Sequence, residues 1–309
     1  MKNFLEIKKL TRNEILDLIK KTIDIKKKPR KYQDKLKNKT LLLFFEAPSL
    51  RTRVSFEAGM NQLGGSAIYY DISTSPLGKG KETIEDTAKV ISRYCDIAAL
   101  RIYSHEDLLK FAYSSRIPVV NMMTNEEHPF QIIGDLFTIF EKKKKLNDIS
   151  ICYLGDSNNN VTNSLIYACS ILNIKLNIGC PSQKEFNVRD DVLKNAIKLS
   201  NNKNLIKIFN DPLKAAKQVN VIYTDSWMSY RIPKNQEARR TKILRPYQVN
   251  EKLMKYADKN ALFMHCLPAL RGQEVTKEVI DGKNSIVWTQ AENRLHMQKT
   301  IMLKLLGRL

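Results

Sequence analysis

Two arginines and two hydroxyl residues stand together where an apolar run ends, in the stretch FFEAPSLRTRVSFE at residues 44–57. Ser49 follows a predicted strand and precedes a helical pattern, so we predict that it caps that helix. Free N–H groups at a helix start, with the hydroxyls of Ser49 and Thr52, form an anion site that the helix dipole strengthens. Arg51 adds a planar fork that matches phosphate oxygens. Arg53 either faces the same ligand or braces the loop, and a capped helix with solvated arginines would give the same pattern.

Other residues able to do chemistry also follow predicted strands or begin helices. Arg101 lies near the end of the predicted strand at 96–103. His128 and Gln131 lie in NEEHPFQ, His265 and Cys266 in ALFMHCLP, and Arg294 at the predicted start of the last helix. Each of these features alone is more often part of a core or a surface. Together they gather guanidinium, imidazole, amide and thiol groups at strand ends, which indicates a binding site for an anionic substrate.

The elements that carry these residues alternate between short apolar runs and helical patterns. The predicted strands are 40–46, 66–71, 96–103 and 118–123, followed by 149–156, 175–180, 205–210, 220–225 and 261–267. The predicted helices include 52–63, 83–94, 105–115, 129–145 and 291–306. Strands separated by helices predict parallel sheets with helices on both faces. We therefore predict an α/β protein with two doubly wound parallel-sheet domains.

A polar stretch, KKKKLND, places the predicted domain boundary near residue 146. The domains are then 1–146 and 147–309, with the C-terminal helix in the second range packing back on the first domain. Ligands of open α/β sheets bind beyond the carboxyl ends of the strands, so the active site is expected in the cleft between the domains.

Composition narrows the class of protein. The chain has 309 residues, of which 43% are hydrophobic and 27% charged, which is typical of globular proteins. A net charge of +20 allows nucleic-acid binding, but the lysines are spread along the chain and no nucleic-acid motif accompanies them. We therefore expect no nucleic-acid partner. No run approaches the ~20 apolar residues of a membrane-spanning helix, so no membrane association is expected.

Five cysteines are scattered without a CxxC pair: Cys95, Cys152, Cys169, Cys180 and Cys266. An odd, scattered set is typical of reduced thiols rather than of disulfides or a zinc site. We therefore expect a cytoplasmic protein without a metal site.

Several motifs in order resemble the aspartate/ornithine carbamoyltransferase family. SLRTR is similar to the family's Ser-x-Arg-Thr-Arg motif, HPFQ to its His-Pro-x-Gln motif, and HCLP to the His-Cys-Leu-Pro signature of the ornithine branch. The likeness extends through IEDTAKVISRY, RIYSHEDLL, GDSNNNVTNSL, RPYQVN, EVIDG and QAENRLHMQK, and so covers nearly the whole chain.

This resemblance implies transfer of the carbamoyl group of carbamoyl phosphate to the side-chain amine of L-ornithine, giving L-citrulline and phosphate. It implies no cofactor and no covalent intermediate, so positioning and electrostatics must supply the catalysis. It assigns carbamoyl phosphate to Ser49, Leu50, Arg51, Thr52, Arg101, His128, Gln131, Cys266, Leu267 and Arg294. Leu50 replaces a usual threonine, which is harmless where the position contributes backbone.

For the second substrate, the resemblance assigns Asn160, Asp225, Ser229 and Tyr230. The residues implied to be catalytic are Arg101, His128, Cys266 and Asp225. Cys266 and Asp225 would orient or deprotonate the attacking amine, and activity should rise with pH until that amine is free. The family also implies a homotrimer or a multiple of trimers.

Two departures from the family pattern leave alternatives open. In DSWMSYRIP, Tyr230 and Arg231 replace the usual methionine and glycine, so a related transcarbamoylase using putrescine or an N-acylated ornithine is the alternative function. In SPLGKGKETIED, Lys79 and Lys81 either reach phosphate in a neighbouring subunit or are solvated loop lysines. A basic nucleic-acid-binding module and a catalytically inactive relative are the alternatives from other classes. The sequence leaves the physiological direction of the reaction open.

Overall fold

The computed structural model describes residues 1–77, 80–228 and 232–309. Contacts divide the chain into two compact units. Unit 1 comprises residues 1–137 and 292–309, and unit 2 comprises residues 138–291. The C-terminal segment therefore belongs with the first unit, and the division falls before the polar stretch at 146.

Unit 1 is built on a parallel sheet in the order β2-β1-β3-β4. Its strands are β1 (Thr40–Phe45), β2 (Ser66–Asp71), β3 (Ile97–Arg101) and β4 (Val119–Met123). Strands β3 and β4 are buried along their whole length, as expected for parallel strands covered on both faces. The chain runs from β1 to β2 on one side and then returns to β3 on the other, so the winding reverses between β1 and β3.

Helices of unit 1 begin at side-chain caps that the sequence supplies. The helices are α1 (Arg12–Lys27), α2 (Leu50–Gln62), α3 (Ile84–Tyr94), α4 (His105–Ser114) and the first part of α5 (Pro129–Lys143). The caps of the first four are Thr11, Ser49, Thr83 and Ser104, and each side chain accepts a backbone N–H of the first turn. Ser49 as the cap of α2 confirms the sequence prediction.

Unit 2 repeats the plan with a parallel sheet in the order β7-β6-β5-β8-β9. Its strands are β5 (Ser150–Leu154), β6 (Lys175–Gly179), β7 (Ile206–Phe209), β8 (Val221–Thr224) and β9 (Leu262–His265). Its helices are α6 (Asn160–Leu172), α7 (Asp190–Ser200), α8 (Pro212–Ala216), α9 (Glu237–Leu244), α10 (Glu251–Met254) and α11 (Lys277–Ile280). The winding reverses between β5 and β8.

The last helix, α12 (Val287–Leu305), begins in unit 2 and continues into unit 1. In unit 1, Lys304 of α12 forms an ion pair with Asp17 of α1 at 2.8 Å, and Thr300 contacts Thr22 through a hydroxyl hydrogen bond of 2.8 Å. The packing of the C-terminal helix on the first unit is thus confirmed.

Two local predictions were wrong. Val54 is an apolar residue of the predicted helix at 52–63 and is expected on its buried face, but its side chain is 50% exposed while Phe56 and Met60 are fully buried. Position 54 lies about 200° around the helix from 56, so both cannot face the same core. The last helix was predicted to begin at residue 291, but it begins at Val287. Ile286 and Val287 are both buried, so the helix start is packed into the core.

Of the described residues, no helix is both long and apolar enough to cross a membrane.

Candidate functional site

In unit 1, the polar residues predicted from strand ends lie on three adjacent strands. Ser49 follows β1, Arg101 ends β3 and His128 follows β4, and these strands are neighbours in the sheet. All strands are parallel, so their carboxyl ends share one edge. The reversal between β1 and β3 opens a crevice at this edge, where open α/β sheets bind ligands.

A hydroxyl and guanidinium cluster surrounds the start of α2. Ser49 Oγ accepts the N–H of Thr52 at 3.3 Å and donates to Thr52 Oγ1 at 3.0 Å. Arg294 Nη2 donates to the same Thr52 oxygen at 2.8 Å. Arg294 is buried and lies two turns inside α12, not at its start as predicted. The guanidinium therefore reaches the N-terminus of α2, where the helix dipole and the arginine favour the same negative charge.

Arg101 is buried at an irregularity in the sheet. The register between β3 and β4 shifts between Leu100 and Arg101, a kind of bulge that re-aims a side chain. Arg101 Nε donates to the carbonyl of Ala47 at 3.1 Å, and its own carbonyl accepts the N–H of Glu46 at 2.9 Å. These bonds fix the guanidinium beside the turn that leads into α2.

His128 and Gln131 flank Pro129 at the start of α5, as predicted, and both are buried. Burial and the positive charges of Arg294 and Arg101 hold the pKa of His128 well below its usual range. The imidazole is therefore neutral near pH 7 and can donate one N–H without carrying charge. The amide of Gln131 donates to Asp135 at 2.8 Å, one turn along α5. The cluster thus combines two buried cations with a neutral hydrogen-bond donor.

The other residues of SLRTR differ in surroundings. Leu50 is 73% exposed and Arg51 is half-buried, so Leu50 offers mainly backbone to a ligand. Arg53 forms an ion pair with Glu57 at 3.0 Å and stacks on the ring of Tyr69 at 3.8 Å. Arg53 therefore braces α2 against β2, which agrees with the second of its two predicted roles.

Unit 2 gathers a different chemistry at its own switch point. Asn160 begins α6 after β5, Asp225 follows β8 and Cys266 follows β9, and these strands are neighbours. The thiol of Cys266 donates to Asp225 Oδ1 at 2.8 Å, and the N–H of Ser226 donates to the same oxygen at 2.7 Å. The pair offers a carboxylate and a sulfur at one position, which suits a cationic amine.

His265, Asp225 and Cys266 place three potential metal-ligand atoms within 4.8 Å of one another, a grouping that the expectation of no metal site did not foresee. Yet His265 Nδ1 accepts the N–H of Leu267 at 2.8 Å, and Nε2 lies 3.3 Å from the buried carboxylate of Glu274. A neutral imidazole that accepts at Nδ1 carries its proton on Nε2, which is close to that carboxylate but is not hydrogen-bonded to it. His265 Nδ1 is therefore occupied by the backbone N–H of Leu267.

A buried ion pair that the sequence did not reveal supports the segment after β8. Arg240 of α9 donates to the carboxylate of Asp156 and, through Nε, to the carbonyl of Trp227 at 3.2 Å. Burial raises the pKa of Asp156 although Arg240 opposes the rise. Gly155 has a φ of +118°, and a Cβ there would lie 3.2 Å from the indole nitrogen of Trp227. In sequence, EARRTK resembles an exposed helix face, so nothing in the pattern marked Arg240.

Four of the predicted positions, Lys79, Ser229, Tyr230 and Arg231, lie outside the described residues. Lys81 is exposed, and its backbone N–H donates to the carbonyl of Pro76 at 2.8 Å. Of the remaining predicted residues, Ser49, Thr52 and Arg294 are hydrogen-bonded together in unit 1, and Asp225 and Cys266 are hydrogen-bonded in unit 2.

The sequences of the two α/β units each match a family model. Unit 1 has the cationic sheet edge, and unit 2 has the thiol–carboxylate edge. The model described as "Aspartate/ornithine carbamoyltransferase, carbamoyl-P binding domain" matches residues 2–141. The model described as "Aspartate/ornithine carbamoyltransferase, Asp/Orn binding domain" matches residues 147–305. The fold and these matches define a carbamoyltransferase enzyme. The chain belongs to the aspartate/ornithine carbamoyltransferase family.

Individual relatives are similar over nearly their full length. The ornithine carbamoyltransferase of Archaeoglobus fulgidus is 42% identical over 310 residues, which cover 100% of this chain and 98% of the relative. That of Caldicellulosiruptor saccharolyticus is 44% identical over 306 residues, 98% of each chain. The solved structure of ornithine carbamoyltransferase from Pyrococcus furiosus has a TM-score of 0.93 at 40% identity, covering 99% of this chain and 97% of that chain. Both units therefore have counterparts in these relatives.

Proposed function

We propose that this enzyme transfers the carbamoyl group of carbamoyl phosphate to the side-chain amine of L-ornithine, giving L-citrulline and phosphate. The observation that carries the proposal is the buried group of Arg101, Arg294 and neutral His128 at the switch point of unit 1. The relatives named ornithine carbamoyltransferase support the choice of amine. We assign residues 1–146 to carbamoyl phosphate and residues 147–309 to the amino acid, on the family pattern.

Carbamoyl phosphate presents a dianionic phosphate next to a carbonyl. The N-terminus of α2, with Ser49, Leu50, Arg51 and Thr52, is assigned to the phosphate. A helix N-terminus with guanidinium groups nearby satisfies several phosphate oxygens at once. Thr52 already accepts from Arg294, so the hydroxyl and the guanidinium are held together before a ligand arrives. Such preorganised donors need no rearrangement when charge develops on the leaving group.

The carbonyl oxygen is assigned to Arg101 and His128, and the carbamoyl amide to Gln131 and the backbone carbonyl of Leu267. In the reaction the amine nitrogen attacks the carbonyl carbon, the bond from that carbon to the bridging oxygen breaks, and phosphate leaves with the electron pair. Negative charge grows on the carbonyl oxygen during attack. Donors that bind this charge more strongly in the transition state than in the substrate lower the barrier.

Unit 2 is assigned to the amine substrate. Asp225 is proposed to bind the α-ammonium group of ornithine and Asn160 its α-carboxylate. Cys266 is assigned a place beside the reacting amine, because its thiol is already hydrogen-bonded to Asp225. The substrate ammonium must lose a proton before attack, and the thiol and carboxylate together can orient it for that loss. Ser229 and Tyr230 remain proposed ornithine contacts on the family pattern alone.

A steady-state assay tests the proposal against the alternative amines. Purified enzyme is given carbamoyl phosphate with L-ornithine, putrescine or N-acetylornithine, and the carbamoylated product is measured for each. The expected result is citrulline from ornithine, with kcat/KM at least about tenfold above either other amine, a preference of about 1.4 kcal/mol. Turnover of putrescine or N-acetylornithine without citrulline formation would contradict the assignment and favour the related transcarbamoylase.

We further propose a homotrimer, or a multiple of trimers, in the cytoplasm, acting in arginine metabolism. The family resemblance supports the trimer, and five cysteines that form no disulfide, four of them buried, support a reducing compartment. Light scattering should give three times, or a multiple of three times, the 35.7 kDa mass of the chain.

A further inference from the structure

The N-terminal segment of unit 1 pairs with the outer edge of β4. The N–H of Phe4 donates to the carbonyl of Val119 at 2.9 Å, and the N–H of Asn121 donates to the carbonyl of Phe4 at 2.8 Å. The side-chain amide of Asn121 also donates to the carbonyl of Leu5 at 2.8 Å. Strand β4 leads directly into the turn that carries His128, so the segment lies beside the origin of that turn.

The turn itself, Thr124 to His128, is closed by short-range bonds and is here called the presenting turn. The N–H of Thr124 donates to the carbonyl of Glu127 at 2.9 Å. The N–H groups of Glu126 and Glu127 both donate to Thr124 Oγ1 at 3.3 Å. These bonds give the turn its shape, and the N–H of Asn125 also donates to the carbonyl of Tyr103, just beyond the end of β3, at 3.0 Å.

A first anchor between the N-terminal segment and the presenting turn is Glu127. Its carboxylate accepts the N–H of Ile7 at 2.7 Å, across 120 residues of sequence, and its side chain is only 1% exposed. Burying a carboxylate is costly unless hydrogen bonds compensate it. The residue adjacent to His128 is therefore tied to a separate element by a short bond inside the unit.

A second anchor runs from Glu6 through His105 to Thr124. His105 Nδ1 lies 2.9 Å from Thr124 Oγ1, and Nε2 lies 3.3 Å from Glu6 Oε1. The Thr124 hydroxyl accepts two backbone N–H groups, so its proton is directed to Nδ1, and Nε2 then donates to Glu6. Burial works to raise the pKa of Glu6, but hydrogen bonds from His105 and Lys8 lower it to about 2, so the acceptor is ionised.

We propose that Glu127 is a positioning residue for the carbamoyl transfer, acting with the Glu6–His105–Thr124 chain to hold the presenting turn so that His128 meets the substrate carbonyl. The inference rests on the proposed function, in which His128 donates to that oxygen. The two anchors tie the turn to the adjacent residues Glu6 and Ile7 of the N-terminal segment and limit its movement about the end of β4. Misplacing a catalytic donor by about 1 Å can cost on the order of 100-fold in rate.

The test compares two glutamates that make the same kind of bond. Glu127 accepts the N–H of Ile7, whereas Glu14 accepts the N–H of Thr11 at 2.9 Å in the capping box of α1 and does not touch the presenting turn. Glu127→Ala is expected to lower kcat/KM for carbamoyl phosphate by about 10-fold to 100-fold well below the melting temperature, with KM for ornithine unchanged. Glu14→Ala should lower thermal stability only, and Glu127→Gln, which keeps an acceptor oxygen, should recover most of the rate.

Coupling to His128 separates positioning from general stability. In a His128→Ala background, Glu127→Ala should reduce the rate by less than about twofold, because the donor that it positions is gone. Equal losses in both backgrounds, or loss of stability without loss of kcat/KM, would overturn the proposal. If Glu127→Ala does not fold, Glu6→Gln tests the other anchor: a drop in kcat/KM for carbamoyl phosphate supports the proposal, and an unchanged value overturns it.

Wild-type turnover is measured first, because it distinguishes failure of the proposed function from failure of the proposed role of Glu127. If the wild-type protein forms no citrulline, the proposed function fails. The anchors are then tested by calorimetric binding of carbamoyl phosphate alone. Weaker binding in Glu127→Ala but not in Glu14→Ala supports positioning, and equal binding in all three proteins overturns it.

Discussion

The two units share one plan and differ in the charge at the edge of the sheet. In unit 1 this edge carries Arg101 at a strand end, Arg294 from α12, and the imidazole of His128, whose pKa is lowered by burial and by those arginines. In unit 2 the corresponding edge carries Asp225 bonded to the thiol of Cys266. Each cluster lies where the winding of a parallel sheet reverses. The scaffold thus supplies the position, and the residues at each sheet edge set its charge, cationic groups in unit 1 and a carboxylate in unit 2.

The buried arginines of the two units also differ in the groups to which they donate. Arg101 donates to the neutral carbonyl of Ala47, and Arg294 to the neutral hydroxyl of Thr52. Arg240 in unit 2 instead donates to the buried carboxylate of Asp156. An ion pair of this kind is strongly destabilised when one partner is removed, because the other charge stays buried. Because Arg101 and Arg294 are assigned to the substrate, we expect their loss to lower activity, whereas loss of Arg240 should destabilise unit 2.

Replacing Arg101 should have the largest effect. Arg101→Ala is expected to lower kcat/KM for carbamoyl phosphate by at least about 10³-fold, because a donor to the developing charge is lost from a buried site. Circular dichroism melting should show little change in stability. Arg53→Ala is the control, since that exposed arginine pairs with Glu57, and it should keep its activity. A large fall in melting temperature for Arg101→Ala would show that the residue is structural.

Replacing Arg240 tests the opposite half of the contrast. Arg240→Met should destabilise unit 2 by about 3–5 kcal/mol, because Asp156 is left buried without its partner. Urea unfolding followed by fluorescence measures this loss. The double variant Arg240→Met with Asp156→Leu should recover much of the stability. If Arg240→Met unfolds at the wild-type urea concentration, the pair does not stabilise this unit.

Replacing Asp225 should affect the kinetics of the amine substrate and leave carbamoyl phosphate binding unchanged. Asp225→Asn is expected to lower kcat/KM for ornithine by about 100-fold, since a charge-assisted contact and the acceptor for the Cys266 thiol are both weakened. Calorimetric binding of carbamoyl phosphate should stay within about twofold of wild type. Asp211→Asn is a matched control, because Asp211 caps α8 of the same unit. Weakened carbamoyl phosphate binding in Asp225→Asn would contradict the assignment of one substrate to each unit.

The smallest expected effect is a pH dependence of stability from His128. Its pKa is lowered in the folded state, so the unfolded chain binds more protons below its usual pKa of about 6.5. The contribution of His128 to the free energy of unfolding is therefore fully present above about pH 7.5. It falls as the pH drops below 6.5, by at most about 1.4 kcal/mol per pH unit. Melting temperatures of wild type and His128→Gln should diverge between pH 6.5 and 5, with the variant losing less. Parallel curves would show that the imidazole is not desolvated.

The positions of chemical groups along the chain were predictable because parallel strands leave a short-range pattern. Buried strands appear in the sequence as apolar runs, and polar residues at their ends or just after them, such as Arg101 and Asp225, are unusual enough to notice. The cap at Ser49 was equally local, since a side chain bonds a backbone group three residues away. Arg294 was placed at the wrong point of its helix because the helix start depends on the burial of Ile286 and Val287.

The anchors of the sites were beyond sequence reasoning. Glu127 and Ile7 are separated by 120 residues, and Arg240 and Asp156 by 84 residues. A glutamate in NEEH and an arginine in EARRTK look solvated, because charged residues are exposed in most contexts. Only the packing of distant segments turns them into buried partners.

The sequence alone therefore determined the alternation of strands and helices, the family pattern and the residue types at the strand ends, because these depend on local periodicity and spacing. The tertiary structure decided which of those residues are buried together, that His128 is neutral, and which distant carboxylates hold the functional turns. Burial, hydrogen-bond partners and pKa arise from neighbours in space, and separation along the chain does not specify them.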